Sequence, residues 1–407
     1  MYQSPIALTE GQGVWVRDAE GKEYLDFFAG ILTTSLGHCH PEVVARVQEQ
    51  VGRLGHVSTL YMNEPHIRAA KALGDISPGN LSSTFFTNSG TEAVETAIML
   101  AQQYTGQSEV VALRLSYSGR SAVSTSLTGQ AKWRPLTSGV SFVRHARAPY
   151  PYRGPERMDE EEMAALFAED IEEVILTTTN GRPAALFAET IMGVGGFIVP
   201  PKGYFQKAAE IVRKYGGLFI ADEVQTGFGR TGRHWFGIEH WGVEPDIMVM
   251  AKGIANGMPV GATITRPEIA EAWSMKTIST FGGNPVSMAA ADATLGVMRR
   301  EDVPARSAAR GAQLRAGLEA LQASNPWMGD VRGMGLMQAI EVVEDPASKK
   351  PSPEKTQKLL EAAKEEGLLL GLGGINGNVI RIGPSMLITE EEVAEALVRL
   401  GRAAERV

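Results

Sequence analysis

Three short segments carry residue types that can do chemistry. In DIMVMAKGIANGMPVGA, Lys252 ends an apolar run and is followed at once by Gly253 and, after a gap, by Gly257. Lysine is ordinarily exposed, so one at the inner end of a buried strand either snorkels back to water or has a lowered pKa that makes its amine a nucleophile. In LFIADEVQTGFGRTG, Asp222 closes a second apolar run, and Gly227, Gly229 and Gly232 mark a tight loop after it. An ionised carboxylate at such a position needs a cation or hydrogen-bond donors beside it. A protonated ring nitrogen would serve, and so would the plainer role of capping the following turn. In TFFTNSGTEAVETAIMLA, Asn88-Ser89-Gly90-Thr91 follow a third run and open a helix whose first turn holds Glu92. Small residues there let backbone N–H groups approach an anion at the positive end of the helix dipole, so Ser89, Gly90 and Thr91 form a candidate phosphate cup. Taken alone, an N-cap is the simpler reading of the same residues.

Each segment is weak evidence by itself. A desolvated lysine, a carboxylate about thirty residues earlier and a phosphate cup earlier still are together the three parts that a pyridoxal 5'-phosphate site requires. Ligands of open α/β sheets bind at the carboxyl ends of the strands, which is where all three segments lie. The elements that must position them follow from the pattern. From about residue 84 the short runs TFF, EVVAL, EVILT, ALFAE, GLFIA and DIMVMA alternate with helical stretches. That alternation predicts an α/β fold with a mostly parallel sheet covered on both faces. Residues 14–28 read as a β-hairpin around Glu20-Gly21, and a helix is expected after Pro41 with Val43, Val44, Val47 and Val51 on one face. Beyond residue 290 the pattern predicts helices over 290–300 and 308–322, strands in GLMQAIEVV and NVIRIGP, and a polar surface loop EDPASKKPSPEKTQ before a helix over 358–366. The expected organisation is a large domain, 56–290, and a small α+β domain built from both chain ends, 1–55 and 291–407.

Composition narrows the partners. The chain has 407 residues, 43% hydrophobic and 21% charged, with a formal charge of -8 and no long basic or acidic block. These values suit a globular enzyme acting on small molecules and speak against a nucleic-acid or anionic-membrane partner. Cys39 is the only cysteine, the N-terminus lacks a basic region followed by an apolar one, and no run approaches about 18 apolar residues, so a cytoplasmic protein without intramolecular disulfides is expected. His38-Cys39-His40 point in different directions from one turn, and no metal site is expected. RHARAPYPYRGPERMDEEE reads as a surface or dimer-interface loop, and Trp15, Tyr61 and Trp133 as packing residues, with lining of a pocket as the alternative.

The segments YLDFFAGILTTSLGHCHP, FFTNSGTEAVETA, GGLFIADEVQTGFGRTG, PDIMVMAKGIANGMPVGA, STFGGNPVSMAAA and VRGMGLM resemble the class III aminotransferases, a fold type I pyridoxal-phosphate family, across nearly the whole chain. The resemblance implies a seven-stranded sheet in the large domain. It assigns Lys252 as the lysine that forms an imine with the cofactor, Asp222 as the partner of the pyridine nitrogen and Gln225 as the neighbour of the phenolic oxygen. Val224 would pack under the ring and Tyr117 above it. Ser89, Gly90 and Thr91 would hold the phosphate, with Thr280 reaching it from the other subunit of a homodimer. Tyr117 is followed by Ser118 where the family usually has histidine, which predicts tuned activity. Members that transfer a distal amine pair a glutamate with a C-terminal arginine; the matching positions here are Val194 and Arg381. Arg381 is then free to clamp a substrate carboxylate, and the pattern is most similar to the alanine–glyoxylate branch. The expected reaction is ping-pong transfer of an amino group from an amino acid or amine to a 2-oxo acid, pyruvate or glyoxylate. A broad-range amine–pyruvate (omega) transaminase, a decarboxylase, aminomutase or racemase on the same fold, and a non-catalytic scaffold are the rivals.

Overall fold

The computed structural model describes residues 2–135 and 138–407. The chain opens with β1 (Leu8–Gln12), β2 (Trp15–Asp18) and β3 (Glu23–Asp26), of which β2 and β3 form the hairpin expected around Glu20-Gly21. His38 Nε2 lies 2.8 Å from Asp26 Oδ2, so the HCH turn is tied to the end of β3. The helix Pro41–Arg53 follows, but its valine face is only partly covered: Val43 is buried, whereas Val44 and Val51 are exposed.

The central sheet comprises β4 (Ser83–Thr87), β5 (Val110–Leu113), β6 (Val143–Ala146), β7 (Ala185–Glu189), β8 (Leu218–Asp222), β9 (Ile247–Met250) and β10 (Gly261–Thr265). Their spatial order is β4-β10-β9-β8-β7-β5-β6, parallel except for β10, which runs antiparallel to both neighbours. Successive strand residues point to opposite faces. Phe187, Ile220 and Val249 therefore enter the core beneath the helix Gly90–Thr105, while Leu186, Phe219 and Met248 enter the core that contains Phe167 and Phe205 of the helices Glu160–Thr178 and Tyr204–Lys214. Two buried faces explain why these strands read as unbroken apolar runs.

One of those runs is not a strand. EVILT lies inside the helix Glu160–Thr178, which starts at a capping box in which Asp159 and Glu162 exchange side-chain and backbone hydrogen bonds of 2.8 and 2.9 Å. Three apolar residues fit a buried helix turn as well as a strand, and the upstream cap decides between them. The strand β6 comes instead from RHARAPYPYRGPER, read above as loop. Downstream of β6, Arg153 and Arg332 bracket the carboxylate of Glu341 at 2.5 and 2.7 Å and Tyr150 donates to it, so this segment is anchored on the neighbouring sheet.

The remaining strands are β11 (Met328–Met334), β12 (Met337–Val342), β13 (Leu368–Leu369), β14 (Gly371–Gly373) and β15 (Val379–Ile382). β11-β12-β15-β14 form one sheet, and β13 pairs in parallel with β3, joining the two chain ends. The helix expected over 358–366 starts earlier, at Pro353, because proline suits the first helical turn, so PEKTQ belongs to the helix rather than to the loop.

Candidate active site

A cavity of about 320 Å³ opens at the carboxyl ends of β7, β8 and β9 and is roofed by the start of the helix Gly90–Thr105. Its lining includes Ser89, Gly90, Thr91, Tyr117, Ser118, Asp222, Val224, Gln225 and Lys252, so the three segments singled out by sequence converge on one space. The strand register explains the convergence: Glu189 pairs across from Asp222, Asp222 from Val249, and Lys252 lies two residues beyond the end of β9. Lys252 adopts φ 35° and begins a 3-10 turn, a sparsely populated conformation for a non-glycine residue.

At the helix start the capping and anion-cup readings coexist. Ser89 Oγ accepts the Glu92 N–H at 3.2 Å, and Glu92 Oε2 accepts the Asn88 N–H at 2.6 Å. Thr91 Oγ1 accepts the Arg120 N–H at 3.2 Å. Behind the cup, a Cβ on Gly261 of β10 would lie 2.1 Å from the Ser89 carbonyl oxygen, so only glycine lets that strand approach. Asp222 likewise caps its turn, accepting the Val224 N–H at 3.0 Å through Oδ1. Tyr117 meets Trp133 edge to face at 5.5 Å. Gln225 is buried against the Gly193 turn, where a Cβ would meet its amide at 1.9 Å; Gln225 Oε1 and Ser118 Oγ have no hydrogen-bond partner among the described residues.

The electrostatics are those of a closed group of opposite charges. Burial lowers the Lys252 pKa, against the pull of Asp222 and Glu189, which leaves the amine easier to deprotonate. Burial pushes the Asp222 carboxyl up to about 6, opposed by the Val224 N–H and Lys252. Glu189, 2% exposed, is pushed up to about 8 by burial and by the negative charge of Asp222. Sequence reasoning missed Glu189, yet ALFAE ends on a carboxylate just as LFIAD does. The same inspection that found Asp222 would have found it.

Two assigned residues lie elsewhere. Arg381, on β15, does not line the cavity; it is 5% exposed, with its guanidinium over Phe28 at 4.8 Å and Phe197 at 5.5 Å. Its Nε donates to the Leu372 carbonyl at 3.1 Å, and its Nη1 has no hydrogen-bond partner among the described residues. Burial lowers its pKa to about 10, against the field of Glu189. Val194 is buried nearby, its carbonyl accepting the Gly374 N–H at 2.9 Å. Thr280 is exposed and takes no part in the cavity of this chain.

A pH signature follows. Glu189 in the folded chain holds its proton well above its ordinary 4.5, so it contributes stability that is full below 4.5 and is lost as pH rises through about 8. Glu223, pushed up to about 7 by burial, and the histidines whose pKa burial lowers from 6.5 also contribute near this window, but equally in a protein that lacks only the Glu189 carboxyl. Between pH ~6.5 and ~8.5 the cofactor-free protein is therefore expected to lose more melting temperature than its Glu189→Gln variant. Parallel profiles by differential scanning fluorimetry would show that Glu189 does not titrate there.

Comparison with known proteins bears on the chemistry. The family model for class-III aminotransferases matches residues 2–404. The chain is 42% identical to alanine–glyoxylate aminotransferase 2 homolog 2, mitochondrial, of Arabidopsis thaliana, over 96% of this chain and 81% of that one. It is 38% identical to the acetylornithine aminotransferase of Methanopyrus kandleri, over 98% and 94%. Its fold matches the omega transaminase from Pseudomonas jessenii, solved in complex with PMP, with TM-score 0.93 and 30% identity over 99% of this chain and 93% of that one.

Proposed function

The chain belongs to the class-III aminotransferases and is a transaminase, and from that premise we propose that it works with pyridoxal 5'-phosphate held in the cavity described above. The observation that carries the proposal is the meeting of Lys252, Asp222 and the Ser89–Thr91 helix start in one cavity. The residues present fit the group: a helix N-terminus for the phosphate, a buried carboxylate for a ring nitrogen, and an amine of lowered pKa for the aldehyde. Gln225, with an unpartnered Oε1, suits the phenolic oxygen; Val224 and Tyr117 supply the two faces for the ring.

When bound, the cofactor supplies an electron sink for the carbon that carries the amine. Lys252 Nζ, made easier to deprotonate by its burial, would take the proton from that carbon and later return it from the same face. Asp222 keeps the ring nitrogen protonated. Donor and 2-oxo acid acceptor use the same space in turn, which is the physical basis of ping-pong kinetics.

The donor class rests on Arg381. With Val194 in place of an acid, its Nη1 is unpaired, which supports a clamp for the carboxylate of an amino acid, alanine with glyoxylate or pyruvate as acceptor. Phe28 and Phe197, both against the guanidinium, favour a second reading, an apolar amine as donor once the arginine moves aside. Visible spectroscopy separates them. The band of the lysine-bound cofactor is expected to bleach with L-alanine and return with glyoxylate or pyruvate. Arg381→Ala should weaken the response to L-alanine by about 10- to 100-fold while sparing a bare aryl-alkyl amine. Equal loss for both donors would remove the clamp; carbon dioxide release or racemisation without consumption of a 2-oxo acid would overturn transamination.

We propose a homodimer in which Thr280 completes the neighbouring phosphate site. Supporting it, Leu60, Met62, Met275, Ile278 and Phe281 are all exposed on two segments that Asn63 and Asn284 hydrogen-bond together. Contiguous apolar exposure of this kind marks protein contact surfaces. The domain reading of 1–55 and 291–407 around 56–290 is supported by the β3–β13 pairing. No helix among the described residues is long and apolar enough to cross a membrane. A cytoplasmic location stays part of the proposal, beside a relative whose name places it in mitochondria.

A further inference from the structure

A second cavity, of about 310 Å³, lies where three elements meet: the glycine-rich loop after β8, the helix Val303–Ser324 and the turn between β11 and β12. None of its lining residues lines the active-site cavity. The elements meet backbone to backbone: a Cβ on Gly311 of the helix would lie 2.4 Å from the Gly335 carbonyl, and a Cβ on Gly335, at φ 52°, would lie 2.5 Å from the carbonyl carbon of Thr231. Polar side chains line the space beside these contacts. Gln338 on β12, 2% exposed, donates through Nε2 to the Gly335 carbonyl at 2.8 Å, while its buried Oε1 has no hydrogen-bond partner among the described residues. Exchanging the two amide atoms would set Oε1 against that carbonyl and leave Nε2 unpartnered instead. A buried amide oxygen without a donor is costly, so this one calls for an O–H or N–H. Arg315 enters from the helix, held by the carbonyls of Val331 and Gly333, and Arg233 enters from the loop. His240 Nε2 lies 3.1 Å from Thr231 Oγ1; burial, with the positive charges of His234 and Arg233, pushes this imidazole down to about 4, so it is neutral at pH 7. No acidic side chain is among the described residues that line the cavity; Glu319 approaches Arg315 Nε at 3.6 Å from one turn along the helix.

We infer that this cavity is a binding site, separate from the catalytic one, for a small organic anion that also carries a hydroxyl or amine, with Arg233 and Arg315 taking its charge and Gln338 Oε1 accepting from its donor. Its position joins it to the catalytic machinery. Arg230, one residue before Thr231 and 1% exposed, donates through Nη1 to the carbonyls of Leu336 and Pro384, the latter three residues beyond Arg381, and its own carbonyl accepts the Leu336 N–H at 3.0 Å. A ligand that bridges Arg233 and Gln338 therefore braces the loop after Asp222 against the sheet that carries Arg381, and stabilises the folded chain by binding it.

The test titrates three probes into the holoenzyme by calorimetry, with melting temperature as a second reading. Glycerol 3-phosphate pairs a dianion with hydroxyl donors, sulfate has the charge alone and glycerol the donors alone. The expected result is saturable binding of glycerol 3-phosphate, at least about tenfold tighter than sulfate, with a raised melting temperature and no binding of glycerol. Arg233→Asn should weaken that binding by about tenfold or more; asparagine tolerates the left-handed backbone of Arg233, at φ 64°. Ala312→Glu, at an exposed helix position on the cavity wall, sets a like charge against the anion and should abolish binding. Both positions are exposed, so both empty variants should melt as the parent does. Gln338→Met should reduce the affinity for glycerol 3-phosphate to that for sulfate. Absence of saturable binding by about 10 mM, or binding that neither Arg233→Asn nor Ala312→Glu changes, overturns the site. Sulfate bound as tightly as glycerol 3-phosphate overturns the role of Gln338 and with it the ligand class.

Discussion

Lys252→Ala is expected to abolish transamination, with turnover at least about 10⁴-fold below the parent, because one substitution removes both the covalent attachment point and the base that moves the substrate proton. Neither function has a substitute in the cavity. Among the residues that line it, the other ionisable groups with shifted pKa are the carboxyls Glu189 and Asp222, and both are pushed upward. The visible band of the lysine-bound cofactor should disappear as well, whereas a small primary amine added to the variant should restore part of the proton transfer. The fold should survive, since Lys252 is an amine held in a buried setting that disfavours its charge and in a strained backbone conformation. A melting temperature at or above that of the parent, with no turnover, is the expected pair of readings. Near-normal turnover in a well-folded variant would remove the central assignment.

Asp222→Asn is the second large effect, and it separates two roles that the structure shows to coexist. Asparagine keeps the volume and an oxygen that can accept the Val224 N–H, so the turn stays capped. Only the charge is lost. If capping were the whole role, activity would be nearly unchanged. If the charge holds a ring nitrogen in its protonated form, turnover should fall by about 10²- to 10³-fold, the size of effect seen when one preorganised electrostatic partner is removed. The substitution should also move its neighbours. With Asp222 neutral, Glu189 loses the negative charge that raises its pKa, and Lys252 loses the one that opposes its own lowering. The pH profile of the variant should therefore shift along with its height. Retention of both height and shape would assign Asp222 to the turn alone.

Much of this site was legible in the order of residues because its chemistry sits where apolar runs stop. A strand buried on both faces has no reason to end on an acid or a lysine, so Asp222 and Lys252 stood out against their own segments. The run EVILT reads as a strand for the complementary reason: its three apolar residues carry no period, and the information lies in the Asp159 cap, fifteen residues upstream of Val174. Glu189 was overlooked although its run has the same form as that of Asp222. The valines after Pro41 were correctly placed on a helix, but their spacing could not say whether this chain covers them.

The sequence by itself determined the layered α/β architecture, the strand-end lysine and carboxylate, and the helix start that can take an anion, because these depend on local period, burial preference and capping. Tertiary structure alone decided which of them share a cavity. Asp222 and Glu189 lie side by side because β7 and β8 pair in register, a contact between residues 33 positions apart. Arg381 stands 129 positions after Lys252 and reaches its field only because β15 packs against the turn after β7, with Arg381 over Phe197. Charge interactions act through space and strengthen as water is excluded, so a group's protonation depends on neighbours and burial that no linear spacing encodes. That is why the catalytic lysine could be named from the sequence, while the shared charge balance of Glu189, Asp222, Lys252 and Arg381 could be seen only in the folded chain.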